Sequence, residues 1–359
     1  MKTQILGFFT PWIAYGVITL LHYMLPGKWI RGYVKNSRTG EPLNYRLNGI
    51  VILAVSIGLW LLLGKLNLVP LDWLYQVRWP SLAGAVVLGL LFSLGIVLPY
   101  PSTGKPWFAD LWFGRLENPQ YRNGRVDAKM WLYLIGAVML QLNALSFAAH
   151  HYGTYEDPNP GVFLCAAMLT WFVWDYLTFE RVHLYTYDFI AERVGIKLGF
   201  GCLTFYPYFY NIALWAVADL PNPHRPLWLT GCFTLVFLAG WILARGANMQ
   251  KYCFKTRGHK SFLGIQPETI SDGKKTLLVN GFWGLSLHIN YLGEILMGCG
   301  IALSAGYPAV WPVWLYPLYY VGLLFTRQAD DAKICKAKYG ELWDAYTRKV
   351  KYRIIPYIY

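Results

Sequence analysis

Stretches of mostly apolar residues recur along the chain at about 4–25, 47–69, 81–100, 129–149, 161–180, 197–218, 227–248, 284–305 and 308–326. Each approaches the length a helix needs to cross a hydrocarbon core, about 20 residues, and polar segments separate them. The pattern predicts an all-α, polytopic integral membrane protein with about nine transmembrane helices. The first stretch has neither a basic leader nor a small-residue cleavage site, so it is read as a retained span rather than a cleaved signal. No internal repeat and no low-complexity tract interrupts the series.

The polar segments alternate in charge. Segment 26–46 carries Lys28, Arg31, Lys35, Arg38 and Arg46, and segment 101–128 carries Lys105, Arg115, Arg122 and Arg125. Segment 181–196 has Arg181 and Arg193, and segment 249–276 has Lys251, Lys255, Arg257, Lys260, Lys274 and Lys275. Between them, 70–80 is nearly neutral, 150–160 is acidic and 219–226 is short. Positive charge on every second loop predicts those loops and the C-terminus in the cytoplasm and the N-terminus outside.

Composition fits this reading. The 359 residues are 56% hydrophobic and 14% charged, against roughly 25% charged in a soluble domain. The formal net charge of +13 would suit nucleic acid, but the cations sit between apolar spans, as in membrane loops, so no nucleic-acid partner is expected. The six cysteines form no CxxC pair and lie mostly in apolar runs. They are expected as buried thiols, not as disulfides or a metal site.

Three spans carry polar groups of their own: Gln141 and Asn143 in the fourth, Asp175 and Glu180 at the end of the fifth, and Tyr206, Tyr208 and Tyr210 around Pro207 in the sixth. Each suits an interhelical hydrogen bond or a pocket lining. Pro207 predicts a kink. A kinked, tyrosine-rich helix beside one bearing carboxylates is a candidate pocket wall.

The densest collection lies in 277–359, where Trp283, His288, Asn290, Glu294, Arg327, Asp331, Lys338 and Tyr346 gather near two helix ends. Ionisable groups at a membrane are costly and mark function by default. Just upstream, Arg245, Asn248, Lys251 and Lys255 recur at three- and four-residue steps and share one helix face. The two lysines suit a phosphate clamp or a snorkelling basic fringe. Gly281 and Gly284 flank the Phe282–Trp283 pair, which leaves Trp283 a flat face for a heteroaromatic ring. His288 has no His or Cys partner at ligand spacing, so no metal is expected. Arg327, Asp331 and Lys338 form a helical stripe. Asp331 pairs with Arg327 at i,i+4, worth about 0.3–0.5 kcal/mol, or serves as an acid whose pKa burial raises.

These residues resemble the sterol reductases of the ergosterol and cholesterol pathways: the C14-type, the Δ7-type and the sterol reductase domain of the lamin B receptor. The resemblance covers nearly the whole chain. It runs through LPG at 25–27, LNYRLNG at 43–49, DLWFGRLENPQ at 110–120, NALSFAAH at 143–150 and the stretch from Thr186 through Asp188 to Tyr210. The most specific matches are GFWGLSLHINYLGE at 281–294 and TRQADDAKICKAKYG at 326–340. Departures are Leu287 and Asp330 where the family has Arg, Glu294 for Asp, Thr326 for His, Ala191–Glu192 for His-Asp, and Phe172 for a pocket tyrosine. The chain reads as a divergent, bacterial-type member that begins at the family's second helix.

The resemblance implies NADPH as cofactor and a sterol or related isoprenoid lipid as substrate, with membrane lipids as surroundings. It implies reduction of a C=C bond by a proton from an acidic side chain and a hydride. Lys251 and Lys255 would hold the adenosine 2′-phosphate, with Arg245 and Asn248 on the same face. Trp283, His288, Asn290, Tyr291, Arg327, Cys335, Lys338, Tyr339 and Tyr346 would line the rest of the cofactor site. Asp331 would be the proton donor or would orient a tyrosine, Tyr208 or Tyr210. Phe172, Asp175, Glu180, Asp188 and Glu294 would face the substrate. The expected organisation is one membrane-embedded reductase domain over 1–359, with the lipid pocket wall in 1–226 and the cofactor half in 227–359. The setting would be a bacterial inner membrane, or the endoplasmic reticulum of a eukaryote. Two other assignments suit the same residues: an isoprenylcysteine-type methyltransferase using S-adenosylmethionine, which needs no 2′-phosphate clamp, and a non-catalytic sterol-binding protein.

Overall fold

The computed structural model describes residues 1–36, 39–258 and 260–359; Arg38, counted in the first basic loop, lies outside them. The chain folds as helices joined by short hairpins, in two compact units, Met1–Pro223 and His224–Tyr359.

Among the described residues, five helices are long and apolar enough to cross a membrane: Lys2–Met24, Arg78–Val97, Ala128–Thr154, Pro160–Thr178 and Leu227–Arg257. The other predicted spans are realised differently. The second and eighth become the shorter helices Gly49–Lys65 and Ile289–Ser304. The ninth enters through a 3-10 turn, and its helix Leu315–Tyr339 continues unbroken through Asp331 and Lys338.

The sixth predicted span is broken. Helix Ile196–Phe200 passes through a π turn at Gly201–Phe205 into Tyr206–Phe209, and the chain resumes as Ile212–Val217. Pro207 is the cause: it has no N–H, and its ring displaces the carbonyl four residues back. That carbonyl, Leu203 O, accepts instead from the Tyr15 hydroxyl at 2.5 Å. The Pro207 carbonyl accepts from Asn143 Nδ2 at 3.0 Å, and Gln141 donates to Thr170 Oγ1 at 2.8 Å. Both spanning amides thus make interhelical hydrogen bonds.

Within the first unit, helix Ala128–Thr154 is the most enclosed, with most of its length buried. Asp127 starts it by accepting from the backbone N–H groups of Lys129 and Met130 at 3.1 and 3.0 Å, the usual N-cap arrangement. The segment 26–46, read as a basic loop, is mostly the antiparallel hairpin Lys28–Lys35 with Pro42–Leu47. Arg46 is not a fringe charge there. It is buried and donates to the carbonyls of His22, Tyr23 and Leu25, satisfying the orphan acceptors at the end of helix Lys2–Met24.

The segment after Val97 is organised by Asp110, which is buried. Its carboxylate accepts from Ser102 Oγ at 2.8 Å, Thr103 N at 3.1 Å, Arg115 Nε at 3.0 Å and the Thr103 hydroxyl. Four residues on, Gly114 has φ +95° with the Val194 carbonyl against it, so a side chain there would meet backbone; this accounts for the D-x-x-x-G spacing. The hydrogen bonds from Thr103 and Ser102, with the Arg115 contact, outweigh burial and hold the Asp110 pKa well below the usual carboxylate value. A depressed folded pKa gives stability that is complete above the unfolded value near 3.9 and lost as pH falls through the folded value. Asp110→Asn is therefore expected to lower the thermal midpoint of the detergent-solubilised protein by several degrees at pH 7, with the gap to the parent narrowing below about pH 4. Equal midpoints at pH 7 would show that the carboxylate does not hold this segment.

In the second unit, helices Leu227–Arg257 and Ile289–Ser304 pack at contact distance. A Cβ on Gly293 would lie 2.5 Å from both the Ala244 nitrogen and the Gly240 carbonyl. Small residues at such crossings let backbones approach where lipid offers no hydrophobic driving force. This crossing sets the start of helix Ile289–Ser304 beside the lower turns of Leu227–Arg257, where the lysines are.

Candidate functional site

Trp283 is fixed first. Its indole Nε1 donates to the Ala247 carbonyl at 2.8 Å, which lays the ring against helix Leu227–Arg257. The Lys251 ammonium, one turn further along that helix, sits 5.5 Å from the ring centre, within cation–π range. Gln250 closes the same corner, accepting from Phe282 N at 3.0 Å and donating to the Asn280 carbonyl at 3.3 Å. Lys255 lies on the same face, its ammonium 6.0 Å from the Phe254 ring and open to solvent.

Asp331 was expected to pair with Arg327, to be the acid or to orient a tyrosine. Its carboxylate bonds His288 Nε2 at 2.9 Å, with the Cys335 thiol at 3.8 Å. Burial opposes its charge, but the His288 contact and the nearby Lys251 charge prevail, so its pKa lies below the usual value. A carboxyl held in this way is ionised at neutral pH and poorly suited to give up a proton itself. Burial and then the Asp331 charge push the Cys335 thiol up to about 12, so it remains a neutral group. The His288 ring is buried and stacks on Tyr291, centroids 4.9 Å apart.

The bond to Asp331 assigns the proton of His288 Nε2 and leaves Nδ1 as an acceptor when the ring is neutral. That Nδ1 is buried and has no hydrogen-bond partner among the described residues, and neither has Asn290 Oδ1. Two orphaned acceptors two residues apart are a recognisable demand for a ligand's donors. The buried Tyr346 hydroxyl reaches the Trp283 carbonyl at 3.4 Å, and burial raises its pKa. Lys338 is exposed, with its ammonium 5.2 Å from the Tyr339 ring. Arg245, Arg327 and Glu294 are each engaged in an interaction. Among the described residues no three metal-binding side chains cluster.

Nothing in the sequence marked the segment that holds His288 in place. Leu287 N donates to the Tyr352 carbonyl at 2.8 Å, His288 N to the Arg353 carbonyl at 2.9 Å, and Ser286 Oγ to the Ile354 carbonyl at 2.9 Å. The tail is anchored in turn by Tyr359, whose ring stacks on Phe325 at 5.1 Å and whose hydroxyl reaches Gln328 at 3.4 Å.

The residues expected at the lipid substrate have these surroundings. Phe172 packs against Tyr206 and Tyr210, each with centroids at 6.4 Å, so the broken helix and helix Pro160–Thr178 do share an aromatic wall. The Tyr208 hydroxyl is committed to Ser81 Oγ at 2.7 Å. Glu180 caps helix Gly49–Lys65, accepting from Gly49 N at 3.0 Å, which is a structural task. The Asp188 carbonyl accepts from Lys129 Nζ at 3.2 Å, and Asp175 is engaged in an interaction.

The Delta(14)-sterol reductase of Arabidopsis thaliana is 30% identical over 94% of this chain and 91% of its own length. The mouse Delta(14)-sterol reductase TM7SF2 is 31% identical, over 94% of this chain and 82% of its own. A bacterial Delta(14)-sterol reductase, from Methylotuvimicrobium alcaliphilum, is 29% identical over 94% of this chain and 80% of its own. With residues 2–359 matching throughout, the chain belongs to the ergosterol biosynthesis ERG4/ERG24 family.

Proposed function

We propose that the protein reduces a carbon–carbon double bond of a sterol or related polycyclic isoprenoid, of the Δ14 class named by its relatives, with NADPH as reductant. The observation that carries this reading is the pair of orphaned acceptors, His288 Nδ1 and Asn290 Oδ1, beside the buried His288–Asp331 contact and the Lys251–Trp283 corner. The residues suit a dinucleotide. The two buried acceptors need donors, which a carboxamide supplies. Flat rings at Trp283 and Tyr291 suit heteroaromatic faces, and Lys251, Lys255, Lys338 and Arg327 supply cations for phosphates.

NADPH, when bound, supplies the hydride. The chain's own residues do the rest. Asp331, ionised, fixes the His288 ring and its tautomer, so that Nδ1 presents a lone pair at a set position. Lys251, Lys255, Arg327 and Lys338 hold negative charge. An isolated alkene is a poor base, so its protonation requires an acid held against it in a dry pocket. With Asp331 held ionised, we assign that acid to Tyr210 of the broken sixth span. The C-terminus and the 249–276 segment are placed on the cytoplasmic side, following the charge alternation.

Purified protein given NADPH deuterated at the transferring position and a Δ14-unsaturated sterol is expected to yield a product heavier by one hydrogen and one deuterium. Mass spectrometry that finds no saturated product, with NADPH unconsumed, would overturn the assignment.

A further inference from the structure

Beside the cofactor corner lies a cleft of about 450 Å³ lined by Leu287, Gln328, Ala329, Ala332, Trp343, Thr347, Lys351 and Arg353. At 100° per residue, Gln328, Ala332 and Ala329 follow around helix Leu315–Tyr339 from Arg327, Asp331 and Lys338, with Cys335 between the two sets. The cleft therefore opens next to that stripe.

Its lining is divided by chemistry. Leu287, Ala329, Ala332 and Trp343 make an apolar floor. Lys351 and Arg353 bring two positive charges, no lining residue is acidic, and among the described residues no carboxylate pairs with either cation. Gln328 is only 2% exposed. Its Oε1 is reached by the Tyr359 hydroxyl, while its amide nitrogen has no partner among the described residues. The Arg353 guanidinium also donates to the Tyr359 hydroxyl at 3.2 Å and lies 5.4 Å from that ring's centre; an amide donor and two cations without a carboxylate partner, lining one cleft, suit an anionic acceptor.

The neighbourhood indicates where that anion comes from. The tail that carries the two cations ends in Tyr357 and Ile358, which are 86% and 80% exposed. Tyr359 stacks on Phe325, at the end of the ninth apolar stretch. An exposed aromatic-aliphatic tip, basic neighbours and the end of an apolar helix together mark a membrane–water interface.

The geometry points to a lipid site: the cleft holds the phosphate headgroup of an anionic phospholipid between Lys351, Arg353 and the Gln328 amide, with the lipid's apolar portion on Trp343 and Leu287. Because the Arg353 carbonyl accepts from His288 N, an occupied cleft would steady the segment that positions His288.

The test uses the full chain in detergent and native mass spectrometry. Phosphatidylglycerol is expected to be retained at one per chain, and phosphatidylcholine at least fivefold less. Lys351→Gln with Arg353→Gln should reduce phosphatidylglycerol retention at least fivefold. Ala332→Leu, which fills the floor without touching charge, should do the same, so that loss of one contact and loss of the fold are separable; an unchanged thermal midpoint certifies each variant. Equal retention by parent and both variants overturns the site. Displacement of the lipid by NADPH overturns its independence from the cofactor corner, and displacement by millimolar inorganic phosphate overturns the assignment to lipid.

Discussion

Asp331→Asn is expected to cut turnover by 10² or more, the usual scale for a group in acid–base machinery, while NADPH affinity stays within about tenfold. The substitution is close to isosteric, and an amide oxygen can still accept from His288 Nε2. What disappears is the negative charge that fixes the His288 ring in one tautomer and supports any positive charge on it. A merely structural role would behave differently: the amide would preserve the 2.9 Å contact, and turnover would hold. Tyr210→Phe completes the experiment. It removes only a hydroxyl and is expected to cost 10² or more in turnover with the cofactor still bound, because the proton is assigned there. Near-normal turnover in Asp331→Asn would remove the site assignment altogether. Loss in Asp331→Asn but not in Tyr210→Phe would return the proton to the second unit.

How much of this was legible beforehand depended on range. The apolar stretches announced the helices because burial in lipid selects by length and composition alone. The break at Pro207 was legible as a kink, but its form was not. The π turn and the Tyr15 hydroxyl on the Leu203 carbonyl come from a helix far away in sequence. Arg46 read as a fringe charge because charge counting cannot see a buried guanidinium capping a helix end. The same limitation governed the site. Periodicity offered Arg327 as the partner of Asp331, since i,i+4 neighbours are visible in a sequence, whereas His288 lies 43 residues away. The tail that holds His288 was illegible for another reason. In KYRIIPYIY the alternation of polar and apolar residues lasts only four positions, and its backbone pairing with Leu287 and His288 needs no particular side chains.

The lysine pair makes the sharpest claim about the cofactor. The protein is expected to bind NADPH more tightly than NADH by about 2 kcal/mol or more, the scale of charge-assisted contacts to one phosphate, or roughly thirtyfold. Lys251→Ala with Lys255→Ala should erase most of that preference and leave NADH affinity nearly unchanged, since NADH has no 2′-phosphate to lose. The two lysines are not equivalent. Lys251 is half-buried over the Trp283 ring, where a cation gains from the ring face and is little screened. Lys255 is exposed, and its contribution should fade with salt. Single substitutions can tell them apart: Lys251→Ala should retain its effect at 0.5 M salt, and Lys255→Ala should not. Calorimetry or tryptophan quenching with each nucleotide reads both. Equal affinity of the unmutated protein for NADPH and NADH would show that the pair is a basic membrane fringe, and that the 2′-phosphate, if it is bound at all, is held elsewhere.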